Sequence, residues 1–436
     1  MSPDEVLSRF PPNSGLGSLV ADLASPDGDL RLAAYHQATE LTQVKDWHDA
    51  RTPTWALTLA DTEALLLVAQ EWDFPLPPPK VRLLDGFHQL LTILWRNPYP
   101  ELLPLIAPAY ARLADARRRC ALLSLLGIIG SREAAAVFAD CLRTHGWPDH
   151  AYSRVFEELV HLFAFPDLLL PEIITTAGPA TDYVGNSLLD ALAQGILKTE
   201  QVGDHLEGLA SYVLTSLQKS VRAAAKHQNK PGIAWRFSER YQELRHRTSM
   251  FLDLAGYLKG PKFSVLLNQA AGFTDPRLVT YAVLALLRRG EVVAAAALEA
   301  AAASHETRSV LYEGLTSLET EQHFPASWRT WEAFAASAMT EWLLYPAELG
   351  REPDELALEY VECVDAEQDQ IAYVWRFRVA AEPWLAGVSG PFAQIGAPRP
   401  LHGSRTFSRF EAWESATPAQ HLERGLGTAE AIHGSA

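Results

Sequence analysis

Arg277, Val279, Tyr281, Leu284 and Leu287 recur as Arg308, Val310, Tyr312, Leu315 and Leu318, each pair 31 positions apart. A constant offset of that size means that one supersecondary unit is used again, and a unit of this kind cannot bury its apolar face alone. A second echo sets Leu125 and Gly127, in LLGIIGSREAAAVFADCL, against Leu254 and Gly256, in LAGYLKGPKFSVLLNQAA. Each stretch reads as a helix, a Gly-containing turn and a second helix, with Ser131 placed to cap the second helix of the first pair. From Leu16 to Leu344 the apolar residues keep helical spacing, punctuated by Gly and Pro. In Leu122, Leu123, Leu125, Leu126, Ile128 and Ile129 they nearly encircle the helix, as expected where neighbours pack on both sides.

The Leu-rich first helix, Gly turn and Ala-rich second helix resemble HEAT and armadillo-like repeats over Leu16 to Leu318. That resemblance implies an α-solenoid of antiparallel helix pairs acting as a binding scaffold, and it names no ligand. Pro75 to Pro79 reads as an extended polyproline spacer, and Gly146 to Pro148 and Asn229 to Gly232 as further breaks. Between Pro325 and Tyr345, Trp328, Trp331, Phe334, Ala335, Met339 and Trp342 form a helical aromatic stripe, expected to cap the array or dock the next domain.

Beyond Gly350 the period changes from helical to alternating. Ile371, Tyr373, Trp375, Phe377 and Val379 fall on one strand face and Arg376 and Arg378 on the other. Leu356, Leu358, Tyr360 and Val364 give an earlier strand, Asp365 to Gln370 a hairpin connection, Trp384 to Val388 a third strand turning at Gly390 and Pro391, and Phe407 to Trp413 a closing segment. The expected fold is therefore mainly α, a HEAT-like solenoid followed by a small C-terminal α+β module with an antiparallel sheet. The expected divisions are an N-terminal arm at 1–15, helical repeats at 16–345, the β-containing domain at 346–421 and a frayed tail at 422–436.

The chemistry-bearing motifs are sparse. Cys120, Cys141 and Cys363 are far apart and include no C-x-x-C pair, which indicates neither a disulfide framework nor a thiolate metal site. His145, Asp149 and His150 read as polar residues of a turn, and Gly387-Val388-Ser389-Gly390-Pro391 lacks the last glycine of a nucleophile elbow. No phosphate-binding loop or dinucleotide fingerprint occurs. No catalytic residue, cofactor or metal is therefore expected. The N-terminus, Met1-Ser2-Pro3-Asp4-Glu5, has no basic, apolar leader, no run reaches the ~20 apolar residues of a membrane span, and a cytoplasmic location is expected.

The net charge of -16 disfavours a protein coated in nucleic acid or lying on an anionic membrane. One stretch runs against that balance: Lys219 to Arg247 carries eight Lys and Arg against Glu239 and Glu243. Trp235 and Phe237 interleave with these cations, a composition suited to stacking on bases or gripping a phosphorylated or acidic segment. Lys226, Lys230, Trp235, Arg236 and Arg240 are the candidate partner-binding residues, on a loop expected to stand clear of the helices because Asn229, Pro231 and Gly232 interrupt it. A protein partner and a non-enzymatic scaffold or adaptor are the leading expectation. Two alternatives remain open: a nucleic-acid-binding enzyme resembling HEAT-like DNA glycosylases, supported by the basic stretch, and a bacterial immunity protein that neutralises a basic toxin. The second rests on the acidic run from Glu348 to Asp369.

Overall fold

The computed structural model describes residues 17–31, 33, 34, 36, 58–70, 91, 94, 95, 98–148, 153–176, 181–202, 205–230, 232, 234–345, 348–367, 369–401 and 407–433. The expected N-terminal arm, the Pro75 to Pro79 spacer, Asp149 and His150 lie outside them. The protein is mainly helical with a four-stranded antiparallel sheet near its C-terminus. Contacts divide it into two compact units, Met1–Tyr212 and Val213–Ala436, so the sheet shares a unit with the helices that precede it.

The first unit contains α1 (Gly17–Leu23), α2 (Leu59–Gln70), α3 (Leu103–Arg112), α4 (Ala116–Ile129), α5 (Arg132–His145), α6 (Ser153–Leu162), α7 (Pro166–Thr176) and α8 (Thr181–Ala193). Helix α4 packs against α5 and α6, α5 against α3 and α7, and α6 against α8, so from α3 to α8 the helices touch those two places along. Leu122, Leu123, Leu125 and Leu126 are all buried, as a helix flanked on several sides requires. Ser131 caps α5, its hydroxyl accepting from Ala134 N at 3.1 Å. At the α4–α6 crossing, a Cβ on Gly127 would lie 2.6 Å from the Glu158 carbonyl oxygen, so only glycine lets these backbones approach.

Helix α9 (Leu206–Ala225) spans the division, and α10 (Glu239–Gly256), α11 (Pro261–Ala271), α12 (Pro276–Arg288), α13 (Ala295–Ala303), α14 (Arg308–Ser317) and α15 (Trp331–Leu343) follow. The 31-residue recurrence falls on α12 and α14, which pack together, with Leu284 and Leu315 both buried in their shared core. Gly256 repeats the role of Gly127: its Cβ would stand 3.0 Å from Ala285 Cα on α12. The aromatic stripe serves two cores, since Phe334 packs with α12 to α14 and Met339 with the sheet. Capping the helices and docking the sheet are thus one task.

Strands β1 (Glu355–Asp365), β2 (Gln370–Arg378), β3 (Leu385–Ala393) and β4 (Phe407–Ala412) lie in sequence order, antiparallel throughout. Tyr373, Trp375 and Phe377 are buried towards α15. Arg376 and Arg378 point the other way, pairing with Glu359 and Glu355 and stacking on Trp384 with centroid distances of 4.3 and 4.5 Å. Strand β3 does not turn at Gly390 as expected but runs on to Ala393. Gly390, at φ 107°, lets it pass so close to β2 that a Cβ would meet the Ile371 carbonyl at 2.8 Å. Ser389 is buried and accepts the Trp375 indole N–H at 2.7 Å, a structural bond.

The expected frayed tail from 422 is instead most of helix α16 (Pro418–His433). Its Leu422 closes a small core with Ala372, Val374 and Val388 on the far face of the sheet, so β2 is covered on both sides. Gly425 permits the contact, since a Cβ there would stand 3.1 Å from Val388 Cγ2.

Gly127→Ala is expected to lower stability by about 1–3 kcal/mol despite the gain in helix propensity, because the obstacle is backbone. Gly208→Ala, at an exposed α9 site whose Cβ would have only Ile174 Cδ1 at 3.8 Å nearby, should raise stability by up to about 1 kcal/mol. Thermal and urea melts of the two variants should move in opposite directions; the same sign for both would remove the close-approach argument.

Candidate functional site

Helix α9 ends at Ala225, and the chain turns through Lys226 to Lys230, makes one 3-10 turn at Ala234–Phe237 and enters α10. Gln228 fixes this turn to the start of α12. Its side-chain oxygen accepts from Thr274 N (2.9 Å) and Asp275 N (3.1 Å), and Thr274 Oγ1 donates to its backbone carbonyl at 3.0 Å. The loop therefore does not stand clear of the helices as expected. Three long-range bonds outweigh the freedom that Asn229, Pro231 and Gly232 suggest.

The five candidate residues come together here in two different capacities. Lys226, Lys230 and Arg240 are exposed, and among the described residues none has a carboxylate within ion-pair distance. All three lie close enough to His227 to depress its pKa further than ring burial alone does. Trp235 and Arg236 are instead half-buried anchors. The Trp235 indole N–H donates to Gly232 O at 2.8 Å, its ring stacks with His227 at 6.0 Å and meets the edge of Tyr241 at 4.6 Å, and the Arg236 guanidinium sits 5.7 Å from it. Arg236 donates to Thr274 O at 2.7 Å. The expected stacking platform is thus already occupied by the protein's own groups, and Phe237 lies 4.6 Å beneath the Arg351 guanidinium. Two polar atoms of the turn, His227 Nδ1 and Arg236 Nε, are buried without a hydrogen-bond partner.

Under this turn lies a charge network that the sequence reading missed. Arg245, one of the eight cations counted between Lys219 and Arg247, is 1% exposed. Its Nε and Nη2 donate to Asp275 at 2.9 Å each, and its Nη1 and Nη2 donate to Glu306 at 2.7 and 2.6 Å. Asp275 also caps α12 through Arg277 N (3.0 Å) and accepts the Tyr241 hydroxyl at 2.8 Å. Residues 275 and 306 are themselves 31 apart. The repeat thus places an acid before each of the two helices, a signal the sequence carried and the apolar echo overshadowed.

Glu352 completes the group from the segment leading into β1. Burial raises its carboxyl pKa to about 7, Glu306 and Asp275 push the same way, and Arg236 and Arg245 oppose them. No comparable sequence signal marks Glu352. The acidic run around it is partly neutralised, since Asp354, Glu355 and Glu359 pair with Arg351, Arg378 and Arg376. Among the described residues no three His, Cys, Asp or Glu side chains gather as a metal would need, and no helix is long and apolar enough to cross a membrane. No protein-family model matches the chain, and no curated protein matches it in sequence.

Asp275→Ala should cost about 3–5 kcal/mol, because it leaves a buried guanidinium half-paired as well as uncapping α12. A loss below about 1 kcal/mol in a urea melt would show that the pair is not buried as described. Glu352 yields a pH signature. Its folded pKa of about 7 exceeds the ordinary 4.5, so the folded protein keeps a proton that the unfolded chain releases. Its contribution is complete below pH 4.5 and lost as pH rises through 7. Glu352→Gln should flatten that part of the stability profile, and an unchanged slope would reassign it to other groups.

Proposed function

We propose that this chain is a non-enzymatic interaction protein of the cytoplasm, a HEAT-like array of antiparallel helix pairs that presents the turn from Lys226 to Arg240 to an acidic protein partner. Two features support the array: helices from α3 to α8, and α10, α12 and α14, pack on the one two places along, and glycines stand at corresponding crossings, Gly127 and Gly256. The observation that carries the binding reading is the cation set. Lys226, Lys230 and Arg240 are exposed and, among the described residues, have no carboxylate partner, on a turn held rigid by Gln228, Trp235 and Arg236. Rigid presentation reduces the ordering cost of binding.

An acidic protein fits better than a nucleic acid. The one indole in the patch is half-buried and already engaged by His227 and Arg236, which disfavours base stacking, and the net charge of -16 repels a long polyanion outside the patch. Three cations do suit a short acidic segment, to which they add mainly rate and selectivity.

Lys226→Glu, Lys230→Glu and Arg240→Glu combined should weaken binding of a glutamate-rich peptide by at least about tenfold and flatten its salt dependence. Trp235→Phe should leave that affinity within about threefold, since the indole supports the turn and makes no contact with the ligand. Fluorescence anisotropy against the peptide and against a single-stranded oligonucleotide checks both. Peptide binding indifferent to the triple change would overturn the reading, and a clear preference for the oligonucleotide would move it to nucleic acid.

A further inference from the structure

The second unit holds a cleft of about 770 Å³ well away in sequence from the cationic turn, between α14 and the strand end at Pro391–Ala393, with the segment from Arg399 to Leu401 along its rim. Volumes of roughly 300–1,000 Å³ are those of small-molecule sites. We propose that this cleft binds a small molecule carrying a single carboxylate on an apolar body.

The lining supplies each half of that description. Phe392, Leu401 and Pro400 give an apolar floor, with the Tyr312 ring on the α14 wall. The polar groups are Arg399, Glu313, Gln370 and the hydroxyls of Thr316 and Ser317, and among the described residues the side chains of Arg399, Thr316 and Ser317 have no hydrogen-bond or ion-pair partner. Arg399 lies between Pro398 and Pro400, whose rings fix the backbone on either side, so the guanidinium is presented from a stiff segment. Guanidinium and hydroxyl groups donate to a carboxylate, and the first does so in a paired geometry.

The helix end on that wall does not oppose an anion. Its last carbonyls are already taken, Gly314 O by Leu318 N, Leu315 O by Thr320 N and Thr316 O by Glu319 N. Glu313 also lines the cleft, which leaves one acid against one base. Arg399 can pair with one carboxylate while Glu313 repels further negative charge, which disfavours a dianion or a polyanion and so separates this ligand class from the partner of the cationic turn.

Saturation-transfer NMR on the full chain tests the assignment with 1-naphthylacetate and its neutral analogue 1-naphthylacetamide as probes. Probes of this size should bind with Kd of about a millimolar, and the amide about tenfold more weakly than the acid. Arg399→Gln, at an exposed position, should weaken the acid about tenfold and leave the amide unchanged. The Lys226, Lys230 and Arg240 triple variant should bind the acid as the wild type does. Equal binding of acid and amide, an acid affinity untouched by Arg399→Gln, or no saturable transfer from the acid would each overturn the proposal.

Discussion

The second unit depends on Arg245, which spends its whole guanidinium on the acids that precede two successive repeated helices. One edge binds Asp275 at the start of α12, and the other binds Glu306 just before α14. Removing three charges from water costs several kcal/mol per ion, and the mutual attraction returns that cost only when every donor is matched. Here each is. An apolar cluster of the same volume would hold these helices about as tightly but would tolerate a slipped arrangement, whereas this one satisfies its charges in a single register. Tyr241 and Gln228 extend the same bonding outwards, so the cationic turn rests on the group that sets the repeat spacing.

Arg308 shows the opposite solution to the same problem. It is fully buried with no carboxylate partner among the described residues, and its guanidinium donates to carbonyls, those of Ala302 and Ala303 at the end of α13 and that of Ala333 on α15. The negative end of a helix is a favourable place for a cation, which allows one side chain to close α13 and hold α15. Burial lowers its pKa to about 10, still far above neutrality, so it stays charged. Its repeat counterpart Arg277 is half-buried, and the two positions have diverged in what they contact.

Local periodicity was legible in the sequence, and long-range closure was not. The recurrence on α12 and α14 and the alternation of Tyr373, Trp375 and Phe377 could be read because each depends on spacing within one element. Helix α16 could not, since Pro418 to His433 offers only Leu422 and Leu426 as a stripe, and Gly425, which resembles a breaker, is what lets the helix approach Val388. In the candidate site, the grouping of Lys226, Lys230 and Arg240 was visible as composition. The roles of Trp235 and Arg245 were not. A charged or aromatic residue in a polar stretch carries no mark of what will cover it: Trp235 is covered from close by in sequence by His227 and Tyr241, whereas Arg236, Phe237 and Arg245 are met from far along the chain, at Thr274, Asp275, Glu306 and Arg351.

The segment from Gly350 to Asp354 joins the sheet to this arrangement. Arg351 lies over Phe237, Glu352 enters the field of Arg236 and Arg245, and Asp354 accepts from Ala380 N at the end of β2. The strand that begins at Glu355 is thus anchored through the turn that carries the exposed cations. Linkage then makes two events reciprocal. An anion held near Arg236 adds negative charge beside Glu352 and raises its proton affinity, so a protonated Glu352 must favour the anion by the same free energy. Because the Glu352 pKa already stands at about 7, a small change in that field shifts its protonation in the range where most carboxylates are fully ionised. Glu352 is thereby coupled to Arg236, one of the anchors of the cationic turn, through contacts that hold the fold together.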